Sequence, residues 1–304
     1  MDNGPTLIER AAALLRDNGS PLRDNISPIE SRPFEAASLA ASERVDFLRP
    51  LTRTCILDRA ALAEAGIIMP WLTTSRVVEE FRIVKGHLMA NWKSQGYSRS
   101  SGGSPRIVMV TSAKPREGKS FSSINLALAF AAEENLTVIL IDTDPVRGGV
   151  GNYLKIPPVP GLTTILSGEA TLGDALIQTD VPNLLVLPSG DAGPHIPELL
   201  TGGGASRVFT ELARRYPEHV IVLDTPPALA STTPAGLAPL VAQIVFVLEA
   251  AHTQRPEVEA AVRLLSGCEH ISFLLNKAAA SSDHFGSYPY YGSPDDASGK
   301  VAID

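Results

Sequence analysis

From residue 106 onward, six short runs of apolar and β-branched residues alternate with helical stretches. The runs lie at 107–111, 137–142, 184–188, 220–224, 244–249 and 271–276. Each run is continuously apolar, which is typical of strands that are covered by helices on both faces. Strands separated by helices predict an α/β fold with a doubly wound, mostly parallel sheet. In such sheets, ligands bind at the carboxyl ends of the strands.

The first run leads into a phosphate-loop motif. The segment 112–120 reads SAKPREGKS and precedes a helical stretch, the strand–loop–helix order in which such a motif is credible. Gly118 would let the backbone turn closely around phosphate oxygens, Lys119 would reach the β- and γ-phosphates, and the Ser120 hydroxyl would coordinate Mg²⁺. Ala113 replaces the first glycine of the GxxxxGK[ST] pattern. A helix start that merely contains GKS is the alternative.

The predicted nucleotide-binding residues combine this loop with the end of the last strand. They are Pro115, Arg116, Glu117, Gly118, Lys119, Ser120, Phe121 and Asn276. The last strand ends in Asn-Lys-Ala-Ala, and Ala279 cannot accept the ring N–H groups of guanine as the aspartate of an NKxD motif does. ATP is therefore favoured over GTP. Contact with adenine and a plain turn at the strand end are both open roles for Asn276.

Acidic residues follow two other strands. Asp142 ends one run and Asp144 comes two residues later, while Asp224 ends another run. A single aspartate at a strand end is more often a turn or helix-capping residue. Three such carboxylates behind a phosphate loop indicate a nucleotide crevice instead, with Asp224 placed to orient the ligand shell of Mg²⁺.

The composition excludes several classes of protein. The 304 residues carry a formal net charge of -7, so no nucleic-acid-binding face is expected. Cys55 and Cys268 are the only cysteines and form no CxxC motif. This argues against a zinc site, an iron–sulfur site or a disulfide scaffold, and favours a reducing cytoplasm. The polar start does not match a signal peptide, and no apolar run approaches the roughly 18–20 residues that span a bilayer.

Four segments are expected along the chain. They are an N-terminal helix (6–17) with a weakly ordered linker within 1–57, a helical segment with a linker at 58–105, the ATP-binding core at 106–279 and a mobile tail at 280–304. The second segment contains an amphipathic helix at 75–93. The tail holds three tyrosines within four residues, Tyr288, Tyr290 and Tyr291. A sticky disordered end is the plain interpretation, but a mobile tyrosine beside an ATP-binding core can also enter an active site.

These features together resemble a known family. The segments VTSAKPREGKSFSSINLALAFA, VILIDTD and VIVLDTPP and the tyrosine tail resemble the bacterial tyrosine kinases, and most of all the exosortase-associated autokinases encoded with exopolysaccharide genes. The resemblance covers about residues 58–291. It implies a P-loop NTPase fold of the deviant-Walker type, like that of MinD and ParA, and an ATP-dependent tyrosine autokinase.

The resemblance also assigns roles to residues. Glu79, Arg82 and Lys85 match the family's E-x-x-R-x-x-R/K motif, whose helix closes a homo-oligomeric ring so that one subunit's tail reaches its neighbour's site. The other implied roles fall into three groups: Lys119, Asp142, Asp144 and Asp224 for catalysis, Ser120, Asp144 and Asp224 for Mg²⁺, and Tyr288, Tyr290 and Tyr291 as phosphate acceptors. Asp142 is expected to accept or orient the proton of the incoming tyrosine.

One departure from the family pattern leaves an alternative function open. Arg116 stands where the family most often has glycine, so a catalytically weak ATP-binding regulator of polysaccharide export is one alternative. A positioning ATPase of the MinD and ParA type is another. The kinase interpretation implies a membrane-embedded chain-length or export protein as partner, a protein-tyrosine phosphatase, and a cytoplasmic position at the inner membrane that depends on the partner.

Overall fold

An eight-stranded sheet lies at the centre of the described chain. Its strands are β1 (Arg53–Cys55), β2 (Arg106–Ser112), β3 (Thr137–Asp142), β4 (Ile177–Thr179), β5 (Leu184–Leu187), β6 (His219–Asp224), β7 (Gln243–Glu249) and β8 (Ile271–Asn276). Their spatial order is β1-β4-β5-β3-β6-β2-β7-β8. Only the β4–β5 pair is antiparallel among these strands. The predicted doubly wound, mostly parallel sheet is therefore confirmed.

The structure is a computed structural model. It describes residues 53–67, 69, 71, 75–94, 106–146, 149–157, 159–191, 196–216 and 219–278. The predicted N-terminal helix at 6–17 and the tail at 280–304 lie outside the described residues. The division of the chain into four segments stays a prediction.

Ten α-helices lie in the described ranges. They are α1 (Arg59–Glu64), α2 (Arg76–Ser94), α3 (Lys119–Ala131), α4 (Gly149–Leu154), α5 (Leu162–Leu166), α6 (Leu172–Ala175), α7 (Ile196–Thr201), α8 (Gly203–Arg215), α9 (Thr233–Leu237) and α10 (Arg255–Leu264). A short 3₁₀ turn, Ala238–Leu240, follows α9. No helix among these is long and apolar enough to cross a membrane.

The continuous apolar runs arise because both faces of the sheet are buried. In β2, Val108 and Val110 contribute to one hydrophobic core, whereas Ile107 and Met109 contribute to the other. Successive side chains of a strand point to opposite faces, so a strand covered on both sides needs apolar residues at every position. All six predicted strands form, each within one residue of its predicted bounds.

Two strands were not predicted. β1 and β4 have three residues each, too few to show a period in the sequence. β1 pairs in parallel with β4, Arg53 opposite Ile177, and so joins the sheet from the segment assigned to the N-terminal linker. Their pairing depends on contacts between residues more than 120 positions apart, which leave no local pattern.

The predicted amphipathic helix corresponds to α2, which packs on α3. Four apolar side chains of α2 are buried, Val78, Phe81, Leu88 and Trp92. The rings of Phe81 and Phe121 meet edge to face with their centroids 6.1 Å apart, and the ring centroids of Trp92 and Phe130 are 5.6 Å apart. The buried Gln243 side chain of β7 donates to the carbonyl of Leu88 at 3.0 Å. Helix α2 is thus fixed to both the phosphate-loop helix and the sheet.

We expect Leu88→Ala to lower the free energy of unfolding by about 2–5 kcal/mol, because the Leu88 side chain is only 1% exposed. Ile83→Ala on the same helix is the matched control. Ile83 is 46% exposed, so its truncation should change the free energy by no more than about 0.5 kcal/mol. Urea denaturation measures both values. Equal losses would show that α2 is not docked through the Leu88 face.

Candidate active site

The phosphate loop connects β2 to α3 and contains two residues with left-handed backbone conformation. Gly118 has φ +97° and Arg116 has φ +71°. A Cβ on Gly118 would lie 1.9 Å from Nδ2 of Asn276. Glycine is therefore required at 118 for two reasons, its backbone angle and its close approach to the last strand.

Contacts from the β7–α10 connection and the end of β8 fix the loop. The Glu117 carboxylate accepts hydrogen bonds from the Lys114 backbone N–H (2.7 Å) and the Thr253 hydroxyl (2.5 Å). The Asn276 side-chain amide donates to the Glu117 carbonyl at 2.9 Å, and the Lys277 ammonium donates to the loop at the Arg116 carbonyl, 2.8 Å away. Thr253 and Lys277 had no predicted role, because only the fold brings them to this loop.

Asp142 and Asp224 lie opposite each other on the adjacent strands β3 and β6. Both are buried. One oxygen of Asp142 accepts the Asp144 backbone N–H at 2.9 Å and the other accepts that of Val150 at 3.2 Å. Oδ1 of Asp224 accepts the Ser123 hydroxyl at 2.9 Å. Its buried Oδ2 makes no hydrogen bond of normal geometry with the described residues, although the Ser120 hydroxyl is close enough to lower the pKa of the group. An unpartnered buried carboxylate oxygen is costly unless a ligand completes it.

The surroundings shift both carboxyl groups toward the protonated state. Burial, with the nearby Asp224 charge, raises the pKa of Asp142 to about 8, even though two backbone N–H groups oppose this. Burial also raises the pKa of Asp224 to about 6, against the lowering effect of the Ser120 hydroxyl, the Lys119 ammonium and the Ser123 hydroxyl. Two acids this close resist ionising together, so a cation between them and the ligand would be stabilising.

An open cleft of about 440 Å³ lies over the loop. Six of its lining residues belong to the predicted nucleotide-binding set: Arg116, Gly118, Lys119, Ser120, Phe121 and Asn276. Gly149, Tyr153 and Lys277 line it as well. Gly149 and Tyr153 belong to α4, a helix too short to be recognised from the sequence. The side chains of Pro115 and Glu117 do not belong to this lining, and Glu117 instead supports the loop from within.

Oxygen atoms in the cleft lining and directly behind it suit Mg²⁺. A Cβ on Gly149 would lie 2.3 Å from Oγ of Ser120 and 3.3 Å from Oδ2 of Asp224, so these two oxygens face the same point. Asp144 lies nearby, its Oδ2 3.9 Å from Nζ of Lys119. No cage of three or more His, Cys, Asp or Glu side chains occurs within the described ranges. Mg²⁺ typically takes one or two protein ligands and completes its shell with phosphate and water, which this arrangement allows.

The predicted oligomer motif divides between two settings. Glu79 and Arg82 form an exposed ion pair on α2. The Lys85 ammonium instead pairs with Glu133 beyond the end of α3, and its side chain is only 12% exposed. Lys85 therefore fixes α2 to the segment that follows α3, while Glu79 and Arg82 are exposed. The acceptor residues Tyr288, Tyr290 and Tyr291 lie outside the described residues.

Comparison with known proteins identifies the family. Tyrosine-protein kinase CpsD of Streptococcus agalactiae is 34% identical over 199 residues, which cover 64% of this chain and 85% of CpsD. The putative tyrosine-protein kinase CapB of Staphylococcus aureus is 30% identical over 220 residues, covering 71% of this chain and 90% of CapB. No family model matches the chain.

Solved structures agree with these relatives. The kinase domain of the Escherichia coli tyrosine kinase ETK superposes with a TM-score of 0.56 at 25% identity, covering 67% of this chain and 80% of that domain. The chimerical protein CapA2B2 gives a TM-score of 0.62 at 22% identity, covers 76% of this chain and 96% of its own, and shows a shared fold. The chain belongs to the bacterial tyrosine-protein kinases. The predicted P-loop fold of the deviant-Walker type is confirmed, whereas membership of the exosortase-associated subgroup stays a prediction.

We expect Gly118→Ala to weaken nucleotide binding at least tenfold, because the new methyl group would displace the Asn276 amide from the Glu117 carbonyl. Gly168→Ala is the matched control. Gly168 has φ +79° but no atom within 4 Å of an added Cβ, so this variant should show only the backbone strain, about 1–2 kcal/mol. Fluorescence titration with a nucleotide analogue and thermal denaturation separate the two effects. Unchanged binding in Gly118→Ala would contradict the account of the loop.

Proposed function

We propose that the protein is an ATP- and Mg²⁺-dependent protein-tyrosine autokinase that phosphorylates Tyr288, Tyr290 and Tyr291 in its own C-terminal segment. Its role would be to regulate exopolysaccharide polymerisation or export. The observation that carries the proposal is the unpartnered Oδ2 of Asp224 opposite the Ser120 hydroxyl, directly behind a phosphate loop. Membership of the tyrosine-protein kinases and the tyrosine cluster of the sequence support it.

The residues of the cleft suit phosphoryl transfer. Lys119 would turn from Asp144 toward the phosphates, and the loop amides that precede α3 would hold phosphate oxygens. Ser120, Asp144 and Asp224 would hold Mg²⁺, which neutralises charge on the γ-phosphoryl group. The loop supplies its amides already oriented, since Glu117, Asn276 and Lys277 fix its backbone before any ligand binds.

The basicity of Asp142 suits its proposed role, which is to accept or orient the proton of the incoming tyrosine. Burial is the largest cause that raises the pKa of Asp142, and a more basic carboxylate is a better acceptor for a tyrosine proton. Its position adds a requirement. The carboxylate has no exposed surface and accepts the Val150 N–H in the first turn of α4. An incoming tyrosine would reach Asp142 only after this turn moves.

Assembly and location complete the proposal. The exposed Glu79–Arg82 pair is available to a neighbouring subunit in a ring, in which one subunit's tail would enter the next subunit's cleft. Within one helix, such an ion pair stabilises the folded state by only about 0.2–0.5 kcal/mol. Folding stability alone therefore does not account for the Glu79–Arg82 pair. We further propose that a membrane-embedded chain-length or export protein positions the kinase at the inner membrane and that a protein-tyrosine phosphatase reverses the modification.

A catalytically weak ATP-binding regulator is the second candidate. The observation in its favour is Arg116, a cleft-lining residue with a left-handed backbone where the family resemblance leads us to expect glycine. The two candidates share nucleotide binding and differ in whether phosphate reaches the tail.

We expect incubation with Mg-ATP to place phosphate on Tyr288, Tyr290 or Tyr291, and Lys119→Met to remove it, because Lys119 is the loop lysine that would reach the β- and γ-phosphates. Lys93→Met is the control, since Lys93 is an exposed lysine on α2 away from the cleft. The triple Tyr→Phe variant of the tail should lose nearly all phosphotyrosine. Intact-protein and peptide mass spectrometry measure each outcome. If the parent binds ATP but remains unmodified, also with the cytoplasmic segment of its membrane partner present, the regulator replaces the kinase.

A further inference from the structure

Arg116 has a positive backbone φ angle, which strains the backbone of the phosphate loop at this residue. A left-handed conformation is unfavourable for residues with a Cβ and nearly neutral for glycine. Arg116 nevertheless has φ +71°, two residues before a glycine with φ +97°. Strained residues persist where neighbouring contacts over-determine the backbone, and they concentrate at functional sites.

The contacts around Arg116 hold that conformation in place. The Lys277 ammonium binds the Arg116 carbonyl at 2.8 Å, and the next residue, Glu117, is held through both its carbonyl and its carboxylate. None of these contacts involves the Arg116 guanidinium. The backbone is therefore fixed independently of the side chain, which the loop presents to the cleft.

Arg116 also differs from the lysines around it in its charge pairing. Lys114 pairs with Glu257 at 2.9 Å, Lys277 with Glu249 at 3.1 Å, and Lys119 lies 3.9 Å from Asp144. Arg116 has no carboxylate or other hydrogen-bond partner for its guanidinium among the described residues, and its side chain is exposed. Within the described part of the chain, Arg116 is thus a cation without a matching carboxylate, whereas Lys119 and Lys277 of the same cleft each lie near one.

We propose that the Arg116 guanidinium binds the phosphate chain of the nucleotide, and that the loop tolerates a left-handed arginine in order to present it. The inference rests on the proposed nucleotide-dependent function and adds a phosphate-binding side chain to it. A guanidinium offers several N–H donors in a plane that matches phosphate oxygens. Its position on the cleft wall, with Lys119 and Ser120, makes the phosphate chain the anion within reach.

The test measures ATP affinity directly, by isothermal titration calorimetry in the presence of Mg²⁺. Arg116→Ala keeps the Cβ and the backbone strain but removes the charge, and we expect it to bind ATP about tenfold more weakly. Arg116→Lys keeps a cation but loses the planar set of donors, so its affinity should lie between those of the parent and Arg116→Ala. Arg116→Gly removes strain and charge together, so it should bind as weakly as Arg116→Ala while melting at a higher temperature.

Lys155→Ala is the matched control. Lys155 is an exposed cation with φ +54° outside the cleft lining, so its loss should leave ATP affinity within about twofold. The proposal is overturned if Arg116→Ala binds ATP within twofold of the parent, if Lys155→Ala loses as much affinity, or if Arg116→Lys is as weak as Arg116→Ala. The proposal is also overturned if Arg116→Ala binds ATP like the parent and loses affinity only for a phosphotyrosine peptide of the tail sequence. Because binding is measured, a parent that binds ATP but forms no phosphotyrosine defeats the autokinase proposal alone.

Discussion

Two aspartates buried side by side at the centre of the sheet determine how the rest of the site is built. Asp142 and Asp224 end neighbouring strands in register, without exposed surface. Such a pair is tolerated because two backbone N–H groups donate hydrogen bonds to Asp142 and the Ser123 hydroxyl donates one to Oδ1 of Asp224. The remaining oxygen, Oδ2 of Asp224, accepts no hydrogen bond of normal geometry from the described residues. The site is therefore incomplete at one oxygen atom, which lies next to Gly149 of the cleft lining.

The phosphate loop and the helix with the oligomer motif are connected by direct packing. Phe121 lines the cleft and meets Phe81 of α2 edge to face. Phe81 lies between Glu79 and Arg82 on the same helical turn. The Lys85–Glu133 pair fixes the next turn of α2 to the end of α3. The helix proposed to contact a neighbouring subunit thus forms part of the wall that supports the nucleotide site.

Much of this architecture could be predicted because it leaves local patterns. The six long strands read as continuous apolar runs, and the phosphate loop and the acidic strand ends follow them at recognisable positions. The rest depends on contacts between distant parts of the chain. The hydrogen bond from the Asn276 amide to the Glu117 carbonyl joins residues 159 positions apart. An asparagine at a strand end in the sequence does not reveal this contact. The strain at Arg116 and the inward pairing of Lys85 likewise become visible only once the fold is known.

The central claim is that the free oxygen of Asp224 belongs to a site that Mg²⁺ and nucleotide complete, and stability measurements on Asp224→Asn test it most directly. The folded pKa of about 6 lies above the ordinary value near 4. Ionisation therefore opposes folding, and this penalty grows as the pH rises from about 4 and is complete above about 6. At pH 8 without ligand, the account predicts that Asp224→Asn unfolds at a higher temperature than the parent. With saturating Mg-ADP, the order should reverse, because only the parent can complete the metal site. Equal stabilisation of both proteins by Mg-ADP would contradict the claim.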